Sequence, residues 1–124
     1  DDVIPIVNEN DSVATEELKF GDNDSLSASL SILINASLLI ILTEVDGLMD
    51  SDGNVIADIS DIDGVTQHVR NETGAYSVGG MSTKLEALAM ASRSEIPGLI
   101  ANGRKFEQLP ELINGEGLCS RITI

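Results

Sequence analysis

The chain has 124 residues, the size of one domain, with 42% hydrophobic residues and a formal charge of −14. That apolar content supports a packed core rather than a disordered chain, but Phe20, Phe106 and Tyr76 are its only aromatics, so nucleic-acid binding by base stacking has little to work with. Residues 1–62 carry 14 acidic residues against one basic, a net of −13 that repels phosphate backbones and anionic lipid headgroups.

Cys119 is the single cysteine, which excludes an internal disulfide and a thiolate metal site and fits a cytoplasmic setting. The longest apolar run, Ala36 to Leu42, is broken by Ser37 and too short to span a bilayer. The opening Asp-Asp-Val is unlike a signal peptide. Surplus acid on this scale also suits a high-salt habitat.

In chain order, Val3-Ile4-Pro5-Ile6-Val7 reads as a strand, with Pro5 placing it at an edge or in its early part. A polar loop, Asn8 to Asp11, follows, where Asn8 and Asn10 are suited to closing turns. Val13 to Phe20 fits neither period. Gly21 breaks the chain, and Leu26, Leu30, Leu33 and Ile34 then recur at helical spacing, with Asp22 or Asp24 as cap and an end near Asn35. Leu38 to Leu42 lacks alternation, as a strand covered on both faces of a parallel sheet does. Thr43 to Gly47 falls just past its carboxyl end, where open α/β sheets place ligand loops.

Asp52-Gly53 marks a hairpin turn between Leu48-Met49 and Val55-Ile56. Its neighbours Asp50 and Asn54 do not make a calcium loop, because the glycine is misplaced and no Glu closes it. Ile59, Ile62, Val65 and Val69 suggest a short helix weakened by Gly64. Gly74 to Gly80 is a loop, Ser82 to Ser92 a helix, and Gly98 to Ala101 a strand ending at Asn102-Gly103. Pro110 opens a last helix to Ile113, and Gly117 to Ile124 supplies a final strand. Strands and helices alternate, so the class is α/β, and nothing marks a second domain.

Two stretches carry chemistry. "GDNDSLSA" (Gly21 to Ala28) crowds carboxylates against a helix start. "GGMSTK" (Gly79 to Lys84) pairs glycines, which let a ligand approach the backbone, with a helix N-terminus that offers N–H donors to an anion. Lys84 falls in the first turn, where the helix dipole disfavours a cation, so it needs a compensating anion. The glycine spacing is not that of a Walker A loop. His68 has no Cys or second His beside it for zinc, and the sequence presents no metal site of its own.

The stretches "PIVNENDSVATEELKFGDNDSLSASLS", "ASLLIILTEVDGL" and "GGMSTKLEALAMAS…IPGLIANG" together resemble the amino acid kinase family, and within it the glutamate 5-kinases. The resemblance is collinear and covers nearly the whole chain, residues 1–124, as the second half of a kinase domain. It implies a three-layer α/β/α sandwich, mainly the C-terminal, nucleotide-binding half. The glycine-rich first turn with its lysine lies in the missing N-terminal half, and no PUA domain is included. Implied activity is transfer of the γ-phosphoryl of ATP, with Mg²⁺, to the side-chain carboxylate of L-glutamate, giving L-glutamyl 5-phosphate for proline biosynthesis. A homo-oligomer is implied as well.

By the same resemblance Asn8, Asn23 and Asp22 hold glutamate, and Asp24 orients the catalytic lysines, Lys84 among them. Thr43, Glu44, Asp46 and Gly47 contact nucleotide after their strand, and Gly79, Gly80, Met81 and Lys84 lie over the phosphates. Glu44 stands where the family has Asp, Val78 where it has Thr, "GLMDSDG" where it has "GLYTADP", and Cys119-Ser120-Arg121-Ile122 where it has "GTLF", altering the last turn. By itself the chain is expected to lack kinase activity. The alternatives are a kinase for aspartate or acetylglutamate, or a non-catalytic nucleotide-binding or assembly remnant.

Overall fold

The computed structural model describes residues 3–8, 22–73 and 80–123. Two helix–strand units dominate it: α1 (Asp22–Leu33) leads into β1 (Leu39–Thr43), and α3 (Met81–Arg93) leads into β3 (Gly98–Asn102). Between them lie β2 (Asp58–Ile59) and α2 (Ile62–Thr73); α4 (Leu109–Ile113) and β4 (Cys119–Ile122) complete the chain. The sheet runs β1-β3-β4-β2, with β1/β3 and β2/β4 parallel and β3/β4 antiparallel.

The sheet is covered on both faces. Leu39, Ile41, Ile100 and Ile122 pack with Ala28 of α1 and with Leu85, Leu88 and Ala91 of α3, while α2 adds Ile62, Val65 and Val69. On the other face Leu99, Ala101 and Cys119 pack with Leu112 of α4. The side-chain alternation of a strand sorts β3 between these two layers, giving an α/β fold in three layers. Gly98 permits the close approach of α3, since a Cβ there would lie 2.5 Å from Leu88 Cδ2.

Several sequence expectations need correcting. Val3 to Val7 forms no strand, and Ile4 and Ile6 are 87% and 94% exposed. An apolar run becomes a strand only where a partner accepts its hydrogen bonds, and Pro5 offers no N–H. The strand Leu38 to Leu42, expected to be covered on both faces, is so covered, by Leu39 and Ile41 on one face and Leu38 and Ile40 on the other, although it lies at the edge of the described sheet and Leu42 is 47% exposed. Ile59 belongs to β2, not to a helix, and Thr123 N donates to its carbonyl at 2.8 Å. The final strand expected over Gly117 to Ile124 is present as β4, Cys119–Ile122, while an unexpected 3₁₀ segment, Gly103–Gln108, precedes α4. The segments 13–20 and 74–79 lie outside the described residues.

Both site-forming helices end where backbone chemistry stops them. Asn35, two residues past α1, has φ 53°, the left-handed conformation in which Asn commonly terminates helices. After α3, Ile96 N donates to Ala91 O at 3.0 Å and Glu95 to Ser92 O at 2.9 Å, closing the last turn. Glu95 sits there at φ 62°, a conformation that costs a side chain more than it costs glycine. Glu95→Gly is expected to raise unfolding stability by about 0.5–1 kcal/mol, read as a higher urea midpoint at unchanged m-value.

Candidate functional site

Chain geometry brings the polar residues to one edge. A helix packed on a sheet and joined to a strand by four or five residues must run antiparallel to that strand. Residues 34–38 join α1 to β1, and residues 94–97 join α3 to β3. The N-termini of α1 and α3 therefore lie at the carboxyl ends of β1 and β3, where the loops after Thr43 and Asn102 also begin. This is the edge at which open α/β sheets bind ligands.

At that edge Lys84 Nζ lies 3.2 Å from Asp24 Oδ2, with side-chain exposures of only 15% and 18%. The anion that Lys84 needs so early in a helix is thus supplied by the first turn of α1. Thr83 joins them. Its hydroxyl lies 3.1 Å from Asp24 Oδ2 and 2.7 Å from Gly80 O, two acceptors for one proton. Gly80 caps α3 at φ 68° and ψ 30° and provides no side-chain cap for the N–H groups of the helix start, the kind of donors that suit an anion. Met81 is spent differently, because its side chain packs on the core.

Next to Asp24, Asn23 and Asn8 line a shallow pocket of about 280 Å³ together with Pro5, Val7, Leu26 and Leu30. Two amides over an apolar floor suit a small ligand with both donors and acceptors. Gly79 and the side chain of Asp22, expected at this site, lie outside the described residues.

After β1 the chain turns through Glu44, Val45 and Asp46. Asp46 Oδ1 lies 2.8 Å from Lys105 Nζ and 3.2 Å from Asn102 Nδ2. Those two hydrogen bonds, with the Lys105 charge, hold the Asp46 carboxyl below its usual range against a smaller opposing effect of burial. Gly47 then approaches β4 so closely that a Cβ would lie 2.6 Å from Ser120 Oγ. That buried hydroxyl accepts from Leu48 N at 2.7 Å. Gly47 is thus a packing residue. Beyond it, Leu48, Met49, Ile56, Val65 and Val69 line the larger cleft between the hairpin and α2, about 760 Å³.

Asp50, in the hairpin, uses Oδ1 to accept from Asp52 N and Asn54 N, each at 2.9 Å. Among the described residues, no three His, Cys, Asp or Glu side chains gather as a metal site. No helix among them is long and apolar enough to cross a membrane.

Thr83, Asn102, Lys105 and Ser120 are absent from the set that the sequence marks as functional. Thr83 was within reach, standing beside Lys84 in the same motif. Asn102 and Lys105 meet Asp46 only through the parallel pairing of β1 with β3, which no local pattern announces.

Comparison with known proteins bears on family and fold. The model of the amino acid kinase family matches residues 1–102. A glutamate 5-kinase of Synechococcus sp. (strain JA-2-3B'a(2-13)) is 44% identical over 96% of this chain and 34% of its own length. One of Clostridium acetobutylicum is 43% identical over 92% of this chain and 45% of its own. The chain thus spans a third to just under a half of these relatives. Among solved structures, one from Aeropyrum pernix K1 superposes with a TM-score of 0.61 at 25% identity, over 82% of this chain and 33% of that one. Carbamate kinase from Giardia lamblia bound to AMP-PNP, at 19% identity, shares the fold with a TM-score of 0.58 over 77% of this chain and 29% of its own.

The lowered Asp46 pKa predicts a pH signature. Because the folded state favours the carboxylate, its stabilising contribution is complete above the ordinary unfolded value of 3.8 and disappears as pH falls through the lower folded value. The difference in urea midpoint between the wild type and Asp46→Asn, small for so exposed a pair, should therefore be largest near neutral pH and shrink below about pH 4.

Proposed function

Because the chain belongs to the amino acid kinase family, we propose that its carboxyl-edge site binds MgATP and L-glutamate as part of a glutamate 5-kinase. Within a complete kinase domain, the site would transfer the γ-phosphoryl to the glutamate side chain. The observation that supports this reading best is the Asp24–Lys84 pair, which puts a held cation between an amide-lined pocket and a glycine-started helix.

The residues divide the work by charge. A glutamate side chain is already ionised at neutral pH, so no strong general base is required. One of its carboxylate oxygens attacks the γ-phosphorus, the bond from that phosphorus to the β–γ bridging oxygen breaks, and ADP leaves with the electron pair. Catalysis then consists of alignment and of offsetting negative charge. Lys84 provides local positive charge in a region of strong negative charge, and Asp24 with Thr83 fixes where that charge points. Asn8 and Asn23 can donate to a carboxylate and accept from an ammonium without adding charge. The N–H groups at the start of α3 suit a phosphate.

Thr43 and Glu44 face the nucleotide side, and the apolar cleft beyond Leu48 offers a wall for its base. The described residues fit a Mg²⁺ carried by the nucleotide rather than caged by protein, since Asp24 is already paired with Lys84. Bound there, the ion would neutralise charge on the β- and γ-phosphates. The proposal extends to a cytoplasmic, homo-oligomeric protein of proline biosynthesis.

Calorimetric titration of this chain with MgATP and with L-glutamate tests the reading. Lys84→Met is expected to weaken MgATP binding by about tenfold or more, the size of one lost charge-assisted contact. Asn23→Ala should weaken glutamate and spare MgATP, and aspartate or acetylglutamate should not displace glutamate. Equal MgATP affinity in wild type and Lys84→Met would overturn the proposal.

A further inference from the structure

We propose that Lys105 and Asn102 are positioning residues for the nucleotide-facing loop, holding Asp46 as an internal anchor so that Thr43 and Glu44 are presented in one conformation. This rests on the nucleotide reading above and deepens it. It also changes the role of Asp46, which the family resemblance places in contact with the nucleotide.

Asp46 Oδ1 is committed within the chain, to Lys105 Nζ at 2.8 Å and to Asn102 Nδ2 at 3.2 Å. Asn102 uses both ends of its amide. Its Nδ2 also reaches Glu44 O at 3.5 Å, while its Oδ1 accepts from Arg104 N at 2.9 Å and so caps the segment that carries Lys105. An amide engaged at both ends has only one useful orientation. Gly103 lets this segment come close to β1, because a Cβ there would lie 3.3 Å from Leu42 Cβ.

The backbone leaves helical geometry at Lys105, with φ −99° and ψ 47°, at the point from which the side chain reaches Asp46. The last residues of the parallel pair, Thr43 and Asn102, are in register, so the clamp begins where sheet hydrogen bonding stops. Lys105 is 47% exposed and Asp46 28%, and an ion pair this wet adds little to global stability. What it can do is select among conformations of a short loop, which then need not be ordered when ligand binds.

The test is MgATP and L-glutamate calorimetry on this chain, with amide hydrogen exchange at residues 44–46. Lys105→Met is expected to weaken MgATP three- to tenfold, to leave glutamate affinity unchanged and to speed exchange at those amides. Lys105→Arg should restore both the MgATP affinity and the slow exchange. Asp46→Asn should give the same loss, and the double variant should lose no more than either single one, as expected for residues that act as a unit.

Unchanged MgATP affinity in Lys105→Met, in a wild-type background that does bind, overturns the positioning role and leaves the nucleotide reading standing. A loss in Lys105→Met that Asp46→Asn does not share also overturns it, since Lys105 would then act on the ligand directly. A wild-type chain that binds no MgATP removes the nucleotide reading, and the positioning role goes with it.

Discussion

The ion pair between Asp24 and Lys84 joins residues 60 apart in sequence, and the fold leaves little choice about their meeting. Each stands at the start of a helix that turns back into a parallel strand after a short connection. Because the two strands are neighbours, the two helix starts are neighbours as well. Asp24 is favoured by the positive end of α1, and Lys84 is tolerated near the positive end of α3 because Asp24 is opposite. With both side chains more than four-fifths buried, removing either one strands a charge that the other was placed to balance.

A second set of contacts keeps the loop that leaves β1 in place. Gly47 and Ser120 allow the chain leaving β1 to lie against β4, with the buried hydroxyl satisfying the N–H of Leu48. The hairpin that follows is tied by Asp50 N to Asn54 O at 2.8 Å and by the Asp50 carboxylate. Edge loop and hairpin are thus anchored separately, one to β3 and its following segment, the other to β4. The polar edge gathers charged and amide groups, and the cleft beside α2 is lined largely by apolar side chains.

Much of this was legible in the residues themselves. The run from Leu38 to Leu42 specifies β1 because it packs on both faces, whereas the recurrence from Leu26 to Ile34 announces the helix α1 but not its buried face: Ala28 makes the core contact, and Leu33 and Ile34 are 80% and 65% exposed. Other features depend on partners that a local pattern does not name. Asp58–Ile59 is too short to show alternation, and its strand character comes from pairing with β4. Val3 to Val7 has strand composition but lies beside α1, where Pro5 and Val7 line a pocket. Asp24 and Lys84 stand out because each breaks a local expectation, surplus acid for one and an unfavourable dipole for the other. Asn102 and Lys105 break none, so only the folded register reveals them.

The edge position of β1 among the described strands bears on how the sheet is completed. Along its outer side Leu39–Thr43 carries peptide groups that no other described strand pairs, and Leu42 leaves apolar surface beside them. Such a rim is a template for a further strand, whether from the same polypeptide or from another. Between two copies the heavy negative charge opposes that pairing, and salt that screens the charge weakens the opposition.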